Sequence, residues 1–156
     1  MPFNKNSFDL VFNSGVLEHF GKSEQIQITK EILRILKLGG YFVTANPSDR
    51  GKIYRLGMET AKKKGIWRFG KEVPITNLKF LKEEIPEIVH IKEYDKDFLS
   101  QLSFLSYISP LCKIIELPLA FLARLFYRFQ FIPQLCDFLF SRIFGTYLII
   151  SVIKKK

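Results

Sequence analysis

The chain has 156 residues, of which 47% are hydrophobic and 25% charged, and it carries a formal net charge of +9. This composition suits one globular domain and excludes a disordered or fibrous chain. The basic balance, with a pI near 9.6, favours anionic partners without choosing among nucleic acid, acidic lipid and a phosphate-bearing substrate.

Met1 to Asp9 is polar and lacks the apolar segment of a signal peptide, which predicts cytoplasmic synthesis. Ser7 to Asn13 holds a short apolar and aromatic run that ends at Asn13-Ser14-Gly15, the pattern of a buried strand followed by a tight turn. Ser23 is placed to cap a helix whose apolar positions Ile28, Ile32, Ile35 and Leu36 follow helical spacing, with Lys30, Glu31, Arg34 and Lys37 turned mostly to water. Lys37-Leu38-Gly39-Gly40 reads as its end, because glycine adopts the left-handed cap conformation freely. Tyr41 to Ala45 is a second buried strand, stopped by Asn46-Pro47. Strand, helix and strand in this order form a βαβ unit, so the two strands are expected to be parallel neighbours in an α/β fold.

Arg50 to Lys71 carries eight basic residues against the single acid Glu59, with Trp67 and Phe69 interleaved. A solvated amphipathic helix explains such a run, and phosphate binding on RNA or lipid head groups is the alternative. Ile88 to Tyr94 reads as a further strand, in which His90 is given no role. From Asp97 onward the chain turns apolar as well as basic, with 7 basic and 3 acidic residues. Segments Phe98 to Ile108, Leu111 to Glu116, Leu119 to Phe131 and Gln134 to Phe144 read as short amphipathic helices separated by Pro110, Pro118 and Pro133. Arg124 and Arg128 share one face of the third. None of these segments supplies the roughly 20 apolar residues of a spanning helix. They form a greasy lid, lie in a bilayer interface, or bury their own faces in a helical subdomain. Cys112 and Cys136 lack the spacing of a metal or redox motif and are expected to be buried, reduced thiols.

Pro2-Phe3, Ser7-Phe8-Asp9-Leu10-Val11, Val16-Leu17-Glu18-His19-Phe20 and Leu36-Lys37-Leu38-Gly39-Gly40-Tyr41 together resemble the run from the fourth to the fifth strand of the type 11 family of class I S-adenosylmethionine-dependent methyltransferases. Gly70 to Leu81 resembles the family's stretch before its sixth strand, and Gly145 to Val152 its last, antiparallel strand. The resemblance implies an α/β fold: a partial Rossmann-like sheet of strands four to seven, with a helical insertion before the last strand. It divides the chain into residues 1–96 of the core, an insertion at 97–145, and the last strand with a basic tail at 146–156.

The resemblance also implies methyl transfer from S-adenosylmethionine, and the apolar composition of the insertion suggests a small-molecule acceptor of apolar or lipid-like character. The resemblance places Asn13, Ser14, Gly15 and Val16 beside the cofactor, and His19 next to Glu18 is a weak candidate for a catalytic base. No metal is implied. The family's acidic glycine-rich loop and its ribose-binding acid have no counterpart here, and no GxG occurs anywhere. Tight cofactor binding by this chain alone is therefore not expected. The remaining half of the fold would lie upstream or on another polypeptide, and Phe8 to Asn13 would be an open edge for it or for self-association. A non-catalytic membrane-associated or scaffold remnant of the fold is the alternative; nucleic-acid binding is the less favoured partner reading. Location is expected to be cytoplasmic, with peripheral membrane association if the apolar helices face lipid.

Overall fold

The computed structural model describes residues 2–109, 111–112, 114, 118, 121, 125, 128 and 131–156. The chain forms two compact units, one of Met1–Asn46, Glu72–Tyr94 and Ile149–Lys156, the other of Pro47–Lys71 and Asp95–Leu148.

The first unit is built on a four-stranded sheet. Strand β1 (Phe8–Ser14) leads through a 3-10 turn at Leu17–His19 into helix α1 (Lys22–Ile35), which returns the chain to β2 (Leu36–Pro47). The two strands pair in parallel, with Leu10 opposite Tyr41 and Asn13 opposite Thr44, as the βαβ pattern requires. After helix α2 (Lys52–Lys63) of the second unit come helix α3 (Phe80–Glu84) and strand β3 (Ile88–Lys96). The last strand, β4 (Leu148–Lys155), inserts between its predecessors, giving the order β1-β2-β4-β3. One core fills this unit: Ile32, Leu33 and Leu36 from the α1–β2 junction pack with Phe42, Ile149 and Ile153 of the sheet and with Leu78, Leu81, Ile85 and Ile88. Ile75, Leu78 and Leu81 are buried, so the stretch before β3 is anchored by its apolar positions.

Two local expectations are corrected. Gly21, not Ser23, stands at the N-cap of α1, and its N–H donates to Glu24 Oε2 at 2.8 Å; this is the half of a capping box that needs no cap side chain. The helix ends at Ile35, where Leu36 is already extended, so Gly39-Gly40 is not its terminus. Gly39, at φ 75°, and Gly40 instead accompany a register irregularity between Phe8 and Leu10. A Cβ on Gly40 would lie 2.9 Å from the Lys37 carbonyl and 3.1 Å from that of Asp9, so the close approach of β1 requires glycine there.

The second unit holds α2, a 3-10 turn at Leu99–Phe104 leading into helix α4 (Leu105–Ile108), and helix α5 (Phe131–Phe144). Tyr54 and Met58 of α2 pack on Phe104, with Trp67, Tyr107 and Tyr147 around them. Gly57 lets the Phe104 backbone approach so closely that a Cβ would lie 2.7 Å from its carbonyl oxygen. Half of the basic run, Lys52, Arg55, Lys62 and Lys63, thus lies on a helix whose Tyr54, Met58 and Ala61 face inward, the solvated amphipathic arrangement. Pro133 lies within α5 rather than between two helices. The expected Leu119 to Phe131 helix lies largely outside the described residues; Phe121, Leu125, Arg128 and Phe131 within it are helical and exposed. Both cysteines are free, and they are half-buried rather than buried.

Strand β1 is an edge of the sheet. Leu10 and Phe12, on one of its faces, are 57% and 63% exposed. An edge leaves alternate backbone groups without strand partners. Hydrogen exchange on a monomeric sample is therefore expected to show fast exchange at alternate amides of Phe8–Ser14 and strong protection at Phe42 to Thr44 on the inner strand. Equal protection of the two segments would contradict the open edge.

Candidate functional site

The C-terminal ends of β1 and β2 lie side by side, and in open α/β sheets chemistry gathers at such ends. Here they are joined through buried polar side chains. The Asn46 Oδ1 accepts the Leu17 N–H at 3.3 Å, Asn46 Nδ2 donates to Thr44 Oγ1 at 2.9 Å, and the Thr44 hydroxyl donates to Asn13 Oδ1. Thr44 and Asn46 have no solvent exposure, so each hydrogen bond satisfies a group that water cannot reach. The series fixes every amide: because Asn13 Oδ1 is taken by Thr44, its NH2 group is the end left to donate outward.

Past Asn13 the chain turns sharply. Ser14 is exposed beside Ala45, and Gly15, at φ 68°, donates its N–H to the Ala45 carbonyl at 2.9 Å. A left-handed residue at this point is why glycine is needed. Val16, half-buried, leads into the 3-10 turn. Gln25 of α1 holds that turn from the other side, its Nε2 donating to the carbonyls of Leu17 at 2.9 Å and Phe20 at 3.0 Å. The residues expected beside the cofactor are thus contiguous on one rigid turn.

Glu18 is the electrostatic anomaly of the site. Its side chain is 3% exposed, its Oε2 has no hydrogen-bond partner, and Oε1 lies 3.3 Å from where a Cβ on Gly15 would be. Burial pushes its carboxyl above the ordinary value; its own backbone N–H and His19 pull it back, while nearby Glu72 pushes it up further. Glu72 is itself 6% exposed, and the Val73 N–H donates to the Glu18 carbonyl at 2.9 Å, which brings the two acids onto adjoining segments. His19 is exposed, and its Nε2 stands 3.8 Å from Glu18 Oε1, beyond hydrogen-bond reach. The two groups are thus close enough to interact electrostatically but are not hydrogen-bonded to each other through these atoms.

Thr44, Asn46, Gln25 and Glu72 do not stand out in the sequence as site residues. The available signal is polarity at the end of a strand apolar enough to be buried: Thr44 and Asn46 must find partners inside the protein, and Asn13 is the register partner of Thr44. Among the described residues, no cluster of His, Cys, Asp and Glu could hold a metal ion.

Comparison with known proteins agrees with this architecture. Residues 1–44 match the family model described as a methyltransferase domain. No curated protein matches the chain. Solved structures do. A SAM-dependent methyltransferase from Thermotoga maritima, described as a possible histamine N-methyltransferase, aligns at a TM-score of 0.58 and 16% identity over 100% of this chain and 60% of its own. A SAM-dependent methyltransferase from Archaeoglobus fulgidus aligns at 0.51 and 16% identity, over 98% and 62%. Geranyl diphosphate C-methyltransferase from Streptomyces coelicolor, solved with Mg2+, geranyl diphosphate and S-adenosyl-L-homocysteine, aligns at 0.53 and 14% identity over 100% and 50%. The fold is that of a class I S-adenosylmethionine-dependent methyltransferase, and the chain spans about three fifths or less of the length of these structures.

The raised Glu18 pKa carries a stability consequence. A carboxyl whose pKa is higher in the folded state penalises folding when ionised; the penalty is absent below the unfolded value, near about 4.3, and complete above the folded one. Glu18→Gln is expected to melt higher than the wild type at neutral pH, with the difference closing as the pH falls towards the unfolded value. A difference that is constant with pH, or that widens in acid, would show that burial does not set the charge of Glu18.

Proposed function

We propose that this chain forms the acceptor-side half of an S-adenosylmethionine-dependent methyltransferase whose acceptor is a small, apolar or lipid-like molecule. The observation that carries the reading is the polar series Asn46–Thr44–Asn13, which holds the Asn13–Val16 turn rigid at the strand ends of a methyltransferase-type sheet. When bound, the cofactor supplies an electrophilic methyl group on a sulfonium.

The turn fits one flank of that donor. Gly15 keeps the backbone open, Asn13 offers an amide N–H, and Val16 gives a half-buried apolar contact. Such a flank aligns donor and acceptor, and alignment supplies much of the rate in displacement chemistry. Glu18, buried against Gly15, bears negative charge when ionised and favours a cationic neighbour. The chain holds neither a glycine-rich loop nor the ribose-binding acid of the family, so the other flank is supplied by residues upstream or on a second polypeptide that pairs with the β1 edge. The small-molecule acceptor is supported by the geranyl diphosphate of one structural neighbour, and its apolar character by the many exposed phenylalanines and leucines of the helical unit.

A second reading is a non-catalytic, membrane-associated or scaffold protein that keeps this half of the fold. The exposed apolar residues of α5 favour it. No described helix is long and apolar enough to cross a membrane, and the association this reading implies is peripheral.

Nuclear magnetic resonance titration of the isolated chain with S-adenosylhomocysteine separates the readings. Weak binding, in the millimolar range, with amide shifts confined to Asn13–Val16 and their neighbours, is expected. Shifts elsewhere, or none, would overturn the assignment of the turn, and micromolar affinity would overturn the claim that half of the site is absent.

A further inference from the structure

Helix α5 is turned inside out. Its one acid, Asp137, is buried, with Oδ1 accepting the Phe98 N–H at 2.7 Å and Oδ2 the Asp97 N–H at 3.2 Å. Phe140 stacks on Phe98 with ring centroids 5.0 Å apart, and Phe144 lies 6.1 Å from the same ring. These contacts set the rotation of the helix. At about 100° per residue, Leu135, Phe138, Leu139 and Arg142 then point away from the body of the unit, with Ile143 at the border. All five are exposed, Phe138 by 72% and Ile143 by 58%. A soluble surface helix shows the reverse arrangement, with its acid in water and its leucines inside.

The charge of the unit that carries this face selects its occupant. The helical unit, Pro47–Lys71 with Asp95–Leu148, contains 13 basic and 6 acidic residues, a net +7 of the chain's +9. Arg142 lies on the apolar face itself, Arg128 is exposed before it, and the only acid of α5 is withdrawn into the interior. A leucine, isoleucine and phenylalanine face with flanking arginines and no exposed acid is built for the boundary between acyl chains and anionic head groups.

We propose that α5 docks this unit onto an anionic lipid surface, lying in the interface with Leu135, Phe138, Leu139 and Ile143 towards the acyl chains and Arg142 towards the head groups. The docking does not depend on methyl transfer. If both hold, it brings the unit to where an apolar acceptor dissolves.

Co-sedimentation of the full chain with two sets of vesicles tests this, one of phosphatidylcholine alone and one of equal parts phosphatidylcholine and phosphatidylglycerol. The wild type is expected to bind the mixed vesicles and to be released by salt. Phe138→Ser with Leu139→Ser should abolish binding. Arg128→Glu with Arg142→Glu should weaken it roughly tenfold or more, since each basic residue near an anionic surface contributes about fivefold in affinity. Because the serine variant could fold poorly, Phe138→Trp supplies a second readout. Its fluorescence should be quenched by brominated phospholipid in the mixed vesicles more than that of the wild type, whose single tryptophan is Trp67. Equal binding to both vesicle types, a wild type that stays in the supernatant as a monomer or as a dimer, or emission from the Phe138→Trp protein no more quenched than that of the wild type would each overturn the proposal.

Discussion

The side chain of Asn46, with no solvent exposure, ties the start of the Leu17–His19 turn to the end of β2 and, through Thr44, to the end of β1. An asparagine in this position must be paired on both its oxygen and its nitrogen, because leaving either end bare inside the protein costs about 1–3 kcal/mol. Pairing both ends leaves one orientation of the amide, and that orientation determines which end of Asn13 faces outward. The left-handed Gly15 and the buried Glu18 beside it lie in the turn that this arrangement anchors at Leu17.

The first unit was legible where hydrophobic spacing governs structure. The apolar runs around Leu10 and Phe42, joined by the helical spacing of Ile28, Ile32 and Ile35, define two parallel strands and a crossover helix, and the strands do pair in parallel. Local turn chemistry was read less well. Ser23 is a good cap by type, but Gly21 with Glu24 provides the competing solution three residues apart, and Gly39-Gly40, which resembles a helix stop, serves a bulge in β2. Of the candidate site, resemblance points to Asn13 to Val16, whereas Thr44, Asn46 and Gln25 act through hydrogen bonds between distant segments that no linear spacing displays.

The second unit shows a different limit. Its sequence is apolar enough to read as helical, but helical periodicity alone does not say which face is inside. In α5 the answer depends on two backbone amides, those of Asp97 and Phe98, that require an acceptor. Asp137 meets them, and its burial turns the leucines outward. The polar requirement of a turn thus decides the orientation of an apolar helix. The uneven charge belongs to the same unit, since +7 of the net charge accompanies the exposed apolar face.

The role of Asn46 is the claim on which the candidate site depends most directly. Replacing it with leucine keeps the branched shape of the side chain and removes both hydrogen bonds, which leaves the Leu17 N–H buried without an acceptor. The account predicts a loss of stability of about 2–4 kcal/mol, together with faster hydrogen exchange at Leu17 to Phe20 than elsewhere in the first unit. An Asn46→Leu protein with unchanged stability and unchanged protection of the Leu17 amide would contradict it.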